Sequence, residues 1–405
     1  MSAVDDPTAR EGPTSPQAGA SATGDGPAPV ALVHHWLVSR RGGEKCLDAL
    51  ASLFPGAPVH TLVHDPDACP PPAAAGPVVT SSLQRWPGGV RRFRALAPWF
   101  HRFYRGLDVS AHPFVVSSDA SLAKAVRKGP GARHVCYCYS PVRWAFDLRE
   151  DYLEVSVPPP LRGLARRVLD RVAAADRRAA EDVDAFLTIS NHVAARVERA
   201  YDREAPVVSP PVDVEFFTPG EAAPLPDGIR APWSADERPY LLLGQAVPYK
   251  RFDVAVNACR ALRRPLVVAG DGPDWEFLRK LASPLTVFIP RPDDATVRSL
   301  YRGARALLFP GEEDFGIVPV EAMACGCPVI ALGVGGATET VVAGRTGVFA
   351  EAIGDVAFQD AIRQFEAIES GFAPTAMVER AAGFSLESHL RSMRAALTAA
   401  GVPVD

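Results

Sequence analysis

Leu307-Leu-Phe-Pro-Gly-Glu-Glu-Asp-Phe-Gly-Ile-Val-Pro-Val-Glu321, continuing as Ala322-Met-Ala-Cys-Gly-Cys-Pro-Val-Ile-Ala331, carries most of what this chain says about its architecture. An apolar run ends at Pro310, and an acidic loop opened by Gly311 follows. Pro319 suits the first turn of a helix, and Gly326 suits its stop. The expectation is a strand, a loop and a helix, with a second apolar run beginning at Val329. The loop residues Phe315, Gly316, Ile317 and Val318 would then present unbonded backbone N–H groups and the positive end of a helix dipole. That arrangement holds an anion without any cation. Glu313 in the loop and Glu321 in the first helical turn can face one cleft at different depths.

The same unit recurs in both directions along the chain. Residues 30–37, 59–63, 114–117, 134–139, 185–189 and 207–209 read as short buried strands, with helical stretches at 43–53 and 161–180. A second series reads 240–244, 266–270, 286–289, 306–310 and 329–332, with helices at 252–262 and 275–281. Alternation of this kind predicts an α/β protein with parallel sheets. Between the series, residues 217–238 are rich in Pro, Gly, Ala and acids, as a linker is. The predicted division is a disordered tail at 1–28, a Rossmann-like domain at 29–216 and the linker. A second Rossmann-like domain at 239–383 and a helix at 384–405 packing back on the first domain complete it. Ligands of such paired units sit in the cleft between them.

Bulk properties agree. A chain of 405 residues is too long for one ordinary core, which favours two domains. A net charge of -4 lacks the basic footprint of a nucleic-acid binder. No apolar run reaches the ~18 residues of a membrane span, and the N-terminus lacks the pattern of a signal peptide. The seven cysteines form neither a staple framework nor a zinc pattern with histidine, so reduced buried thiols and a cytoplasmic location are expected.

Two further segments suit a phosphate-bearing ligand. Tyr240-Leu-Leu-Leu-Gly-Gln-Ala-Val-Pro-Tyr-Lys-Arg-Phe-Asp253 runs from a buried strand through Gly244 and Gln245 to a loop with Lys250 and Arg251. His34-His-Trp-Leu-Val-Ser-Arg-Arg-Gly-Gly-Glu-Lys-Cys46 places Gly42 and Gly43 between the first strand and a helix, where backbone can approach a phosphate closely.

Taken together these segments resemble family 4 retaining glycosyltransferases of GT-B fold. The phrase Phe309-Pro-Gly-Glu-Glu-Asp-Phe-Gly-Ile-Val-Pro-Val-Glu-Ala322 is similar to a bacterial mannosyltransferase-like branch. The resemblance covers roughly residues 30–395 and implies two Rossmann-like domains facing each other across a cleft. It implies that Glu313 binds hydroxyls of the transferred hexose and Glu321 the ribose diol. Backbone of Phe315, Gly316, Ile317 and Val318 would meet sugar and phosphates. Lys250, with Arg251 beside it, would hold the diphosphate, although Gln245 stands where the family usually has Arg. Gly42 and Gly43 would approach from the opposite side, and Pro290 and Arg291 would seat the base. Tyr139 occupies the place of a His near the donor hexose; a purely structural role at a strand end is the alternative.

The implied reaction moves a hexose, with mannose from GDP-mannose favoured and UDP-hexose second, to a glycan or polyprenyl-linked glycan. No cofactor and no metal are implied, and Asp182-Val-Asp184 is not read as a metal motif. A nucleotide-sugar-binding pseudoenzyme remains a second class, motivated by Gln245 and Tyr139. A glycoside hydrolase has no use for the Lys-bearing loop, and the Gly-x-Gly-x-x-Gly of a dehydrogenase does not occur. Arg143 and Asp147 are candidates to orient the acceptor or each other. Residues 85–105, rich in Arg and aromatics, suit either transient contact with the inner membrane face or a partly buried acceptor-side loop.

Overall fold

In a computed structural model, which describes residues 28–404 apart from Ala235, the chain forms two parallel sheets of six strands each. The predicted tail thus lies outside the described residues up to residue 27. The first sheet holds β1 (Val30–His34), β2 (Val59–Thr61), β3 (Val78–Thr80), β4 (Phe114–Asp119), β5 (Arg133–Cys138) and β6 (Ala185–Thr188). The second holds β7 (Tyr240–Gln245), β8 (Leu266–Asp271), β9 (Thr286–Pro290), β10 (Leu307–Phe309), β11 (Val329–Leu332) and β12 (Gly347–Ala350). This is the α/β, GT-B arrangement of two Rossmann-like units.

Strand order runs β3-β2-β1-β4-β5-β6 in one sheet and β9-β8-β7-β10-β11-β12 in the other. Each sheet therefore reverses its direction of growth once, between β1 and β4 and between β7 and β10. At such a reversal the crossovers part to opposite faces and leave a crevice at the carboxyl ends of the strands. Loops 35–41, 246–251 and 310–316 all emerge there, so topology alone gathers the segments singled out in the sequence. The carboxyl end of β4 is fixed from below: buried Lys124 bonds Asp119 at 3.0 Å and Asp176, on the helix Arg162–Glu181, at 2.6 Å.

One reading needs correction, and two strands were missed. Residues 207–209 are not a strand but make one bridge, Thr188 to Val207, because Pro206, Pro210 and Pro211 remove the N–H groups a ladder needs. Strands β3 and β12 were not anticipated; each is an edge strand of three or four residues, too short for periodicity to register. The last helix, Leu386–Ala399, packs on the helix Gly42–Leu53 of the first unit. It is pinned there by a 2.7 Å hydrogen bond between His389 Nδ1 and the Ser209 carbonyl, and by Arg133 donating to the Ala400 carbonyl. Among the described residues no helix is long and apolar enough to cross a membrane.

Candidate active site

The acidic loop after β10 works in two directions at once. Its neighbouring acids diverge to opposite sides. Glu313 faces Lys250, whose Nζ lies 2.8 Å from its Oε1. Glu312 and Asp314 point the other way, into the first unit: Glu312 meets His192 and Arg196 at 3.1 Å each, and Asp314 meets Arg196 and Arg143. Gly311 makes the approach possible, since a Cβ there would stand 2.6 Å from the Lys250 Cα.

Gly316, at φ 96°, turns the chain into the helix Ile317–Ala324. Ile317 and Val318 are its first two residues and have no carbonyl one turn earlier to bond, while Pro319 removes the next donor altogether. Both line the cleft with the N-terminal end of the helix. Glu321 follows one turn later, buried, with Tyr301 Oη donating to Oε2 at 3.0 Å and Lys45 Nζ 3.8 Å from Oε1. Burial pushes its carboxyl up to about 7, against the downward pull of Lys45 and Tyr301.

Lys250 sits on the facing turn after β7. Burial is the largest influence and works to lower its pKa. The charge and hydrogen bond of Glu313 together with Tyr249 outweigh it and the net shift is upward, so the ammonium persists at neutral pH. Gly244 and Gln245 line the same wall. Arg251 does not: at φ 51° it turns back to pair with Asp253 at 3.0 Å, which corrects its assignment to the clamp. Pro290 ends β9 and Arg291 donates its N–H to the Gly270 carbonyl at 2.8 Å. Neither lines the cavity, which Asp271 and Asp294 flank instead. The seat predicted for the base at Pro290 and Arg291 is therefore not part of this cleft wall.

From the first unit, Gly42 abuts the Ile317 side chain across the cleft. Next to it stands a residue the sequence reading passed over. Arg41 Nη1 donates across the domain gap to Gln245 Oε1 at 2.9 Å. Arg40, Lys45, Arg143 and Lys250, the other cations lining the cavity, each face a carboxylate within 4 Å. Among the described residues Arg41 has none, so its charge faces the cavity of about 690 Å³ uncompensated. Gln245 thus accepts a hydrogen bond from the cation it lacks.

Tyr139 lies behind this wall. Its hydroxyl donates to the Gly43 carbonyl at 3.1 Å, and burial raises its pKa far above the usual range. It braces the glycine turn and does not line the cavity, so the structural alternative describes it. Gly43 likewise contacts His35 and Tyr139 rather than open space. His34, His35 and Glu44 bring ligand atoms within 4.8 Å of one another here, the one group of that kind among the described residues. They are tied into the fold: His34 Nδ1 meets Ser118 Oγ at 2.6 Å, and Glu44 Oε2 accepts the Arg41 N–H at 2.8 Å. Burial, with the charge of His34, lowers His35 to about 3.

Arg143 and Asp147 do not pair with each other; Asp147 bonds Arg196 at 3.0 Å. Asp182 and Asp184 pair separately, with Arg105 and Lys128.

The family described as "Glycosyl transferases group 1" matches residues 230–382. A D-inositol 3-phosphate glycosyltransferase of Mycobacteroides abscessus is 31% identical over 250 residues, a match spanning 58% of this chain and about half (54%) of the relative. The same-named protein of Kribbella flavida is 30% identical over 383 residues, covering 86% of this chain and 82% of the relative. Among solved structures, sucrose-phosphate synthase from Thermosynechococcus elongatus aligns with a TM-score of 0.64 at 17% identity, over 91% of this chain and 98% of its own. Anabaena HepE, solved with UDP and glucose, gives 0.64 at 15% identity, over 92% and 99%. At such identities these two structures speak to the fold alone.

Proposed function

The chain belongs to the group 1 glycosyltransferases, and from that premise we propose that it is a retaining, metal-independent hexosyltransferase using a nucleoside-diphosphate sugar. The observation that carries the reading is the cleft itself. Two cations from opposite domains, Lys250 and Arg41, and the N-terminal end of the helix at Ile317 converge on one cavity. Charge growing on a departing diphosphate must be met by cations and fixed dipoles, and here the chain supplies both. Glu313 beside Lys250 accepts hydroxyls of the hexose; Glu321, deeper, accepts the ribose diol. In the step proposed, the bond from C1 to the diphosphate oxygen breaks while the acceptor oxygen bonds C1 on the same face. The acceptor proton passes to the departing phosphate, so no separate general base is required.

GDP-mannose is the favoured donor, on the likeness of residues 309–322 to the mannosyltransferase-like branch. UDP-hexose is the second reading. The acceptor is read as a glycan or polyprenyl-linked glycan at the cytoplasmic membrane face; seven free, buried cysteines suit a reducing compartment. The test is a screen of GDP- and UDP-hexoses in excess EDTA, reading released nucleoside diphosphate and the product's anomeric configuration. Transfer should persist with the configuration kept. Loss on chelation with recovery in manganese would sink the metal-independent reading, and donor binding without any release would favour a pseudoenzyme.

Glu321 supplies a pH test. Only the ionised carboxylate can accept from both hydroxyls of a diol, and its pKa of about 7 puts ionisation within the working range. Nucleoside diphosphate affinity should therefore fall roughly tenfold between pH of about 8 and about 6, following the loss of the charged form. Glu321→Gln should bind weakly with a shallower profile, the slope that remains being that of the nucleotide's own phosphate, which is common to both proteins. Equal slopes in calorimetric titrations of the two would remove Glu321 from the ribose.

A further inference from the structure

Two helices begin face to face across the domain gap. Gly42 opens the helix Gly42–Leu53 of the first domain, and a Cβ there would collide with the side chain of Ile317, which opens the helix Ile317–Ala324 of the second. Residues three or four positions on along a helix share a face with the first. Here those residues are Lys45 and Glu321, and they meet across the gap with Nζ 3.8 Å from Oε1. The local chain explains why Lys45 is the one presented. Glu44 turns back to the Arg41 N–H, and Cys46 and Leu47 turn into the core, which leaves Lys45 half-buried on the cavity side.

The two oxygens of Glu321 draw on different domains. Oε2 accepts from Tyr301, on the helix Asp294–Gly303 of its own domain. Oε1 has Lys45, from the other domain, as its one ion-pair partner among the described residues. At 3.8 Å the ammonium lies beyond hydrogen-bond reach, so it steadies the charge and leaves the lone pairs of Oε1 to another donor. Burial raises the carboxyl's pKa most, Lys45 and then Tyr301 lower it, and Asp294 and Asp213 raise it. Cys325, one turn on, is held as a thiol by burial, which pushes it up to about 12. The helix Pro374–Ala382 packs on the same helix, but its Arg380 bonds the Thr340 carbonyl and its Glu379 pairs with Arg345. Of all these groups Lys45 alone brings a positive charge to Glu321.

We infer that Lys45 is a positioning residue for the nucleotide: standing on the first domain, it keeps Glu321 charged with Oε1 free, so that the seat for the ribose diol is complete only while the two domains are together. The inference rests on the reading of Glu321 as the ribose acceptor and adds a residue that acts through it. A diol needs an acceptor-only carboxylate. Glu321 by itself, buried among acids, is half-way to losing that form at neutral pH. The missing support comes from across the gap, through a side chain that need not touch the ligand.

Calorimetric titration of the full chain with GDP and with UDP tests this, with circular dichroism as a fold control. Removing a partly exposed opposite charge at this range moves a carboxyl by about one pH unit, the low end for such neighbours. Lys45→Met should therefore weaken binding about fivefold at pH of about 7 but less than about twofold at pH of about 8.5, where Glu321 is ionised in both proteins. Lys45→Arg should stay within about twofold of wild type throughout, since the charge is kept. In the Glu321→Gln background, Lys45→Met should change nothing, because the group it acts through is gone. A loss that is equal at every pH, or as large in the Glu321→Gln background as in wild type, would make Lys45 a direct contact of the ligand. That result overturns the inference and leaves Glu321 at the ribose. Wild-type affinity in Glu321→Gln alone removes the ribose seat itself, and this inference with it.

Discussion

Replacing Lys250 with Ala is expected to lower transfer by about 10²- to 10³-fold, the range found when one preorganised group facing a developing oxyanion is removed. Among the described residues lining the cavity, Lys250 is the single Lys or Arg contributed by the second domain. Its loss acts twice. The departing diphosphate loses a facing ammonium, and Glu313, held 2.8 Å from that ammonium, becomes an unpaired carboxylate beside an anionic ligand. The loss should fall mainly on kcat, because charge on the leaving group grows as the bond to C1 breaks. Steady-state kinetics with circular dichroism as a fold control measures it. A variant within about threefold of wild type would show that the cleft does not serve the leaving group.

Arg41→Ala should cost about ten- to a hundredfold in kcat/KM, as expected for one charge-assisted hydrogen bond of ~1.5–3 kcal/mol. The effect is smaller because the helix start and Lys250 remain. A rescue makes the test specific. Gln245 already touches Arg41 at 2.9 Å, so Gln245→Arg in the Arg41→Ala background returns a guanidinium to the same space from the opposite domain. Recovery of most of the lost activity is the expected result. If Arg41→Ala is silent, or if the double variant is no better than the single, the cation there does not serve the donor.

Arg41 also marks the limit of what the sequence discloses. Strand, loop and helix were legible around Glu313, Ile317 and Glu321 because punctuation by Gly and Pro is local and strong. Lys250 was legible for the same reason, in a loop that follows a buried strand. Arg41 and Gln245 are 204 positions apart, and only the juxtaposition of two domains makes one the complement of the other. Three adjacent acids posed the opposite difficulty. Composition cannot say which of Glu312, Glu313 and Asp314 enters the cleft; the placement of the loop between Lys250 and Arg196 does. Arg251 and Tyr139 do not line the cavity as their neighbours in sequence suggest. A positive φ turns the first toward Asp253, and a 3.1 Å bond to Gly43 commits the second to the fold. Pro290 ends, and Arg291 follows, a strand that lies at the margin of its sheet, away from the reversal where the cavity forms.

The loop from Gly311 to Phe315 splices two mechanical roles into five residues. Its middle acid belongs to the ligand, while the acids on either side grip Arg196, a side chain only 4% exposed on the far domain. The helix at Asn191 is seized in the same manner, its first N–H groups bonding Glu339 of the second domain at 2.8 Å. Parting the domains must draw these groups asunder and pull on the neighbours of Glu313 as it does so. Donor occupancy and the spacing of the domains are thereby coupled quantities: whatever free energy a bound sugar lends to closure, closure returns to the sugar. A change at Arg196 that shifts the balance between open and closed arrangements alters the ligand's dissociation constant by the coupling free energy between the two.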